Sequence, residues 1–213
     1  WYMLDDYHRD NGEGGDFYSA GRSRGCGGNG LWIAGKLYPS GNFRDTRVLA
    51  NGPIRVMFEL VYQPWDAGGI TVSEVKRITL DAGQNMDRFE SRYTLHGAPR
   101  ELTHAIGIKK AAGSLSAVSR ERGSLRTWEA FRGTDGHLGC GVVLDPAQIV
   151  EFTEGDGNYL VVAKVPANSP ALYHAGFGWD KSGDFAGVED WDRHLEQFAR
   201  RLSSTLEVKA GGQ

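Results

Sequence analysis

The sequence predicts an all-β fold, an antiparallel β-sandwich or barrel, with one amphipathic helix near the end of the chain. Thirty glycines and repeated turn signals divide the 213 residues into short segments, many of which alternate apolar and polar side chains. A period of two is typical of strands with one buried face. No internal repeat or linker interrupts the pattern, so we expect one domain over residues 1–213.

The clearest strand patterns lie in residues 54–62 and 88–95, the second of which follows a turn at 81–84. Side chains on a strand point alternately to its two faces, so each pattern separates an apolar face from a polar one. We expect the apolar face of the sandwich to include Val56, Phe58, Leu60, Phe89 and Tyr93. Further strands are predicted at 31–34, 70–80, 103–109, 124–131, 141–144, 150–152 and 159–165.

One segment has helical periodicity. Apolar residues recur at helical spacing over 188–202, with acidic residues in the first turn and two arginines in the last, as the helix dipole favours. The Trp and Phe stripe of this helix is interpreted as packing against the outside of the sheet. Residues 206–208 are predicted to return as a last strand.

Charge and hydropathy exclude some partners. The net charge is −3 with both signs mixed along the chain, which argues against nucleic acid, and no apolar run reaches membrane-spanning length. The chain opens on Trp1-Tyr-Met-Leu, which indicates a mature product or the C-terminal part of a longer protein. Cys26 and Cys140 each lie between glycines, so they are either one disulfide or two small buried thiols.

The segment 8–18 is the most informative part of the sequence, because it is too polar for a core and rich in glycine. Its composition indicates acid–base chemistry, binding of sugar hydroxyls, or a Ca²⁺ site, although the spacing does not match an EF-hand. The alternative is a solvated turn. The candidate catalytic residues here are His8, Glu13 and Asp16, and the candidate substrate-binding residues are Asp10 and Asn11.

A second polar and aromatic stretch covers residues 173–185. Trp179 could stack on a sugar face, with His174 as a catalytic candidate and Lys181 as a binding candidate. Alternatively, the stretch leads into the helix and its aromatic residues close one end of the sandwich. Since each polar segment alone is too small for a pocket, we expect the two to converge.

Charged residues also line the predicted strand 88–95. Arg88 and Arg92 share one face, and the turn at 81–84 is expected to place Glu74 and Lys76 opposite them. This face is either a solvent-exposed ladder of ion pairs or a ligand-binding surface on which arginine holds a carboxylate. His104 alternates with isoleucines and is interpreted as a core or rim histidine.

Several sequence blocks recur together in one family. They include His8-x-Asp-Asn-Gly-Glu-Gly-Gly-Asp-Phe-Tyr18, Gly25-Cys-Gly-Gly28, Arg88-Phe-Glu-Ser91 and Gly178-Trp179. The chain resembles an uncharacterised domain-of-unknown-function family of secreted bacterial proteins found beside polysaccharide-degradation genes. The resemblance implies a galactose-mutarotase-like β-supersandwich, a periplasmic or secreted location, and an N-terminal segment that this chain lacks.

Two functions follow as expectations. The first is a carbohydrate-active protein that acts on a uronic-acid-containing glycan by lyase, hydrolase or epimerase chemistry. The second is a non-catalytic glycan-binding or structural module, since tryptophan residues can bind sugars without a titrating group. The sequence has no nucleophile elbow, P-loop, dinucleotide fingerprint or His-Glu-x-x-His motif that would indicate another class of enzyme.

Overall fold

Strands dominate the computed structural model, which describes residues 6–10, 12, 14–96 and 101–204. A 3₁₀ turn, Pro146–Gln148, precedes the twelfth strand. Within the described residues the elements are β1 (Cys26–Ile33), β2 (Lys36–Tyr38), β3 (Phe43–Asn51), β4 (Arg55–Tyr62), β5 (Trp65–Asp66), β6 (Thr71–Asp81), β7 (Met86–His96), β8 (Leu102–Lys109), β9 (Leu115–Ser119), β10 (Ser124–Ala130), β11 (His137–Val143), β12 (Ile149–Gly155), β13 (Asn158–Val165), β14 (Ala171–Trp179) and the helix α1 (Val188–Ser203).

The described strands form two antiparallel sheets that pack face to face. The small sheet has the order β12-β13-β8-β1-β2, and the large sheet has the order β3-β4-β6-β7-β14-β11-β10-β9, with β5 paired to β6. Strands β1 and β8 of the small sheet contact β11, β1 also contacts β14, and β13 contacts β10. The predicted antiparallel β-sandwich is confirmed. The faces that the two sheets turn toward each other are called the inner faces.

Helix α1 covers part of the outer face of the large sheet. Its buried side chains include Trp191, which is fully enclosed. Glycines in the sheet leave room for aromatic rings on this face. A Cβ at Gly139 would be 2.7 Å from the Trp191 ring, and one at Gly178 would be 2.5 Å from the Phe185 ring. The predicted amphipathic helix and its packing are confirmed. No helix in the described part of the chain is long and apolar enough to span a membrane.

The strand predictions hold in part. Each predicted strand up to residue 165 overlaps an observed one, but the sequence did not predict β2, β3, β5, β9 or β14. Strand β14 lies within and beside the stretch 173–185 that looked like a loop, and it is paired on both sides, with β7 and with β11. Glycines interrupt the alternation of apolar and polar residues in this strand. A side chain has no room at Gly176, because a Cβ there would be 1.8 Å from the Asn85 carbonyl oxygen. The predicted strand at 206–208 lies outside the described residues.

The predicted apolar face also needs one correction. Phe89 packs against the core between the sheets, and Phe58 and Leu60 are half-buried, but Val56 is 36% exposed. Val48, which lies beside Phe58 on β3, is 70% exposed. The small sheet contacts β10, β11 and β14, and Asn29 of β1 also bonds to β7, whereas β3 and β4 form the far edge of the large sheet. The exposure of Val56 and Val48 shows that the inner face is open at this edge.

The two cysteines are free thiols. Cys140 is buried on β11, and the Cys26 thiol donates to the Gly176 carbonyl oxygen at 3.1 Å. The neighbouring Cys26 side chain, and then burial, keep the pKa of Cys140 well above its usual value. Of the two alternatives, the structure has two free thiols, of which Cys140 is buried and Cys26 is half-buried.

Candidate functional site

Charged side chains lie on the inner face of the large sheet, where apolar ones are expected. On β6 the side chains of Val72, Glu74, Lys76 and Ile78 share one face, because alternate residues of a strand point the same way. Glu74 is 3% exposed and Lys76 is 8% exposed. Burying a charge is costly unless it is paired, so this pair requires a specific explanation.

The Lys76 side chain lies between the buried Glu74 and the open part of the inner face. Its Nζ lies 3.6 Å from Glu74 Oε1 and 3.5 Å from the Tyr62 hydroxyl. It also lies 5.0 Å from the centre of the Tyr62 ring, within cation–π range. Tyr62 itself is half-buried, at the end of β4. An ammonium, a carboxylate and a phenol therefore meet where the space between the sheets opens.

Hydrogen bonds across the sandwich organise the deep end of the same site. The side-chain amide of Asn29 on β1 donates to the Tyr93 hydroxyl at 2.7 Å and to the Ser91 hydroxyl at 3.1 Å. Burial, and then the charge of Glu74, raise the pKa of Tyr93 well above its usual value, so the phenol stays protonated. Because its oxygen accepts from Asn29, the Tyr93 proton remains available for donation.

His104 lies beside these groups and is fully enclosed. Its ring centre is 6.5 Å from that of Tyr93 and 6.2 Å from that of Tyr173. Burial, and then the charge of Lys76, lower the pKa of His104 to about 4, so the ring is neutral at pH 7. In the part of the chain that the structure describes, neither ring nitrogen has a hydrogen-bond partner.

Buried polar atoms are usually hydrogen-bonded, so several unpartnered ones in one place indicate unused binding capacity. Besides the ring of His104, Glu74 Oε1 and Asn29 Oδ1 have no hydrogen bond among the described residues. We refer to this group of six side chains as the inner-face cluster: Asn29, Tyr62, Glu74, Lys76, Tyr93 and His104. It can hold an anion, donate a proton and accept one.

The N-terminal motif forms a turn in the residues that the structure describes. One carboxylate oxygen of Asp10 accepts from the backbone N–H groups of Gly12 at 2.8 Å and Gly14 at 3.1 Å, and these bonds lower the pKa of Asp10. His8 Nδ1 lies 2.6 Å from the Asp16 carbonyl oxygen. Two further predicted site residues, Asn11 and Glu13, lie outside the described residues.

The expected convergence with the second polar stretch holds at Trp179 but not at His174. The rings of Phe17 and Trp179 are 5.9 Å apart, and a Cβ at Gly14 would be 3.7 Å from Trp179. The charge of Lys181 contributes to the lowered pKa of Asp10. Trp179 Nε1 is already engaged, because it donates to the Asp135 carbonyl oxygen at 2.8 Å.

His174 lies apart from that meeting point. It is five residues before Trp179 on β14, so the two side chains are on opposite faces of the large sheet. The His174 ring packs edge-on against Phe198 of α1 at 5.1 Å. The structure therefore groups Trp179 with the N-terminal motif and leaves His174 on the outer face. Their roles in binding or catalysis stay predictions.

Arg88 and Arg92 are exposed on the outer face of β7. Arg88 Nη1 lies 3.2 Å from Glu90 Oε2. The interpretation that placed Glu74 and Lys76 opposite the two arginines was wrong: Glu74 is paired with Tyr93 and Lys76 with Ser91 in register, and both face inward.

The residue of β6 that lies opposite the charged outer face of β7 is Arg77. It is paired with Glu90 in register and donates to Glu59 Oε1 at 2.8 Å. The Arg77 side chain is 38% exposed and the Glu59 side chain is 13% exposed, so this pair is partly buried.

The structure offers no support for a metal within its described residues. No group of three or more His, Cys, Asp and Glu side chains there is placed to hold an ion. Two members of the N-terminal motif lie outside those residues, so Ca²⁺ binding by that motif stays a prediction.

The inner-face cluster could have been found from the sequence by one signal. Glu74 and Lys76 alternate with the same positions as Val72 and Ile78, so all four side chains point to one face of the strand. This places two charges on a face that the alternation assigns to the core. The contributions of Asn29 and His104 could not be found in this way, because they belong to the other sheet.

Two comparisons with known proteins identify relatives of this chain. A protein-family model described as "Domain of unknown function (DUF4861)" matches residues 1–208. A protein of Formosa agariphila named "Uncharacterized protein P7" is 32% identical over 219 residues, which cover 98% of this chain and 54% of that protein. The chain thus spans about half the length of this relative.

Proposed function

This chain belongs to the DUF4861 family, and we propose that it is a carbohydrate-active domain that holds an acidic saccharide at the inner-face cluster. The observation that carries the proposal is Lys76, a nearly buried ammonium between Glu74 and Tyr62. A charge-assisted hydrogen bond from such a group to a uronate carboxylate is stronger than one on an exposed surface. The half-buried ring of Tyr62 offers a face to the sugar.

Proton transfer is the chemistry that these groups support best. In a lyase reaction Glu74 would take the proton from C5 of the uronate, while Lys76 offsets the charge that builds up on the carboxylate. A C4–C5 double bond forms as the C4–O bond breaks, and Tyr93 supplies the proton to the leaving oxygen. In an epimerase C5 would instead receive a proton on its opposite face from a second group, the role that Tyr93 would take. The cluster contains one carboxylate, whereas hydrolases use a pair, so lyase or epimerase chemistry is favoured over hydrolysis.

A non-catalytic binding module is the second candidate, and the depth of the site favours it. Glu74 is 3% exposed and His104 is fully enclosed, so a saccharide at the mouth would reach Tyr62 and Lys76 first. The half-buried Phe58 and Leu60 extend this surface with apolar contacts. Binding in this mode would need no movement of a proton.

The cellular setting belongs to the proposal as well. The resemblance described above supports a mutarotase-like sandwich, a role beside polysaccharide degradation, and a periplasmic or secreted location. We propose this role for the matched region alone, because it covers 54% of the relative from Formosa agariphila.

Calorimetric titration and absorbance of unsaturated uronate, measured on uronic-acid and neutral oligosaccharides, test the proposal. We expect Lys76→Met to weaken binding of acidic oligosaccharides about 10- to 150-fold, which corresponds to about 1.5–3 kcal/mol for a charged hydrogen bond. Glu74→Gln should keep binding and lose product formation.

Arg92→Met is the matched control, because it removes a cation from the exposed outer face of the neighbouring strand. It should change neither measurement. If Arg92→Met weakens binding as much as Lys76→Met, the site lies on the outer face. Binding without product on any glycan would support the non-catalytic module.

A further inference from the structure

A cavity of about 320 Å³ lies on the outer face of the large sheet, on the side opposite the inner-face cluster. Its walls come from the C-terminal part of α1, from β14, and from the segment after β11. Apolar side chains form much of the lining, which is typical of small-molecule sites. The lining includes Val143, Leu144, Pro146, Leu172, Ala199 and Leu202.

Two polar side chains in this cavity have unused hydrogen-bonding atoms. His174 on β14 is 8% exposed, and its Nδ1 has no hydrogen-bond partner among the described residues. Gln148 is half-buried, and its buried Oε1 atom has no partner there either. Both residues line the same space. Burial and then the charge of Arg88 lower the pKa of His174 to about 4, against a backbone hydrogen bond to Val143 that raises it.

The chemistry of these atoms restricts what they can bind. In a neutral imidazole one ring nitrogen donates and the other accepts, so His174 Nδ1 can take either role. Gln148 Oε1 is an acceptor. A hydroxyl group can donate to Gln148 Oε1, and it can either donate to His174 Nδ1 or accept from it.

The rim of the cavity carries charges of both signs. Arg122 lies 3.4 Å from Glu121 and 3.5 Å from Glu196, so its charge is shared with two carboxylates. Asp145 accepts from the Ala147 backbone N–H at 2.9 Å. Because both signs of charge are present at the rim, a ligand of either charge would meet a like charge there.

We propose that this cavity is a second binding site, for a neutral hydroxyl-rich molecule the size of one monosaccharide, held by His174 and Gln148. Hydroxyl groups of the sugar hydrogen-bond to Gln148 Oε1 and His174 Nδ1, and Leu172 and Leu202 contact the apolar face of its ring. The proposal does not depend on the function proposed for the inner-face cluster, which lies on the other side of the sheet.

Nuclear magnetic resonance titration of the chain with D-galactose and D-glucose tests the site. We expect saturable shifts of the His174 imidazole and the Gln148 side-chain amide with at least one of the two sugars. Galacturonate and glucosamine are the charged comparisons, and both should bind more weakly than the neutral sugars.

Substitutions assign the binding to the cavity. Gln148→Leu, which keeps the approximate size of the side chain, should weaken binding on the order of 10-fold, as for the loss of one hydrogen bond. His174→Phe retains a ring against Phe198 and should weaken binding to a similar extent. Gln84→Leu, in an exposed turn, is the matched control and should bind like the unsubstituted chain.

Three results would overturn the proposal. The first is the absence of saturable shifts at His174 and Gln148 with both neutral sugars. The second is an affinity for galacturonate and glucosamine equal to the affinity for the neutral sugars. The third is unchanged affinity for the neutral sugars in both cavity variants. Lys76→Met should leave this titration unchanged, so failure of the inner-face proposal and failure of this one are distinguishable.

Discussion

His104 makes the stability of this protein depend on pH in a predictable direction. Burial and the charge of Lys76 hold its folded-state pKa at about 4, below the ordinary value of 6.5. Between these two values the unfolded chain binds a proton that the folded protein does not bind. The free energy of unfolding therefore falls as the pH drops from 7 to 4.

The magnitude follows from the difference in pKa. A shift from 6.5 to about 4, at about 1.36 kcal/mol per unit, corresponds to a loss of about 3 kcal/mol at low pH. Replacement of His104 by glutamine removes the titrating group but keeps a polar side chain. We expect the stability advantage of the unsubstituted chain over His104→Gln to shrink by about this amount between pH 7 and pH 4.

Urea denaturation followed by tryptophan fluorescence at several pH values between 4 and 7.5 measures this difference. Other groups, including His174, titrate in both proteins, so their contributions cancel when the two curves are subtracted. Gln197→Ala, which changes an exposed side chain of α1 and removes no titrating group, is the control and should give a curve parallel to that of the unsubstituted chain. Parallel curves for His104→Gln would refute the reasoning.

Two further predictions concern packing on the large sheet. Trp191→Ala should destabilise the fold by about 3–5 kcal/mol in urea denaturation, because the indole is fully buried, whereas Gln197→Ala, on the exposed side of the same helix, should change stability by less than about 0.5 kcal/mol. Gly176→Ala should lower the melting temperature or prevent folding, since the added Cβ would lie 1.8 Å from the Asn85 carbonyl oxygen; a melting temperature like that of the unsubstituted chain would show that β14 and β7 are not this close.

Local patterns predicted most of the fold and little of the site. Alternation in 88–95 and the helical stripe in 188–202 were sufficient because each reflects burial of one face of one element. Strand β14 was missed because Gly176 and Gly178 are glycines where neighbouring elements come too close for a side chain, and a glycine has no place in a hydrophobic pattern.

The sequence by itself determined the all-β class, the single amphipathic helix and the alternation that gives each strand two faces. Tertiary structure decided which charges are buried. Glu74 and Lys76 acquire their environment from Asn29 and His104, which belong to the other sheet, and from a register that turns the pair away from Arg88 and Arg92. Whether a charged side chain is a solvated surface group or part of a site depends on what packs over it, and contacts between distant parts of the chain supply that cover.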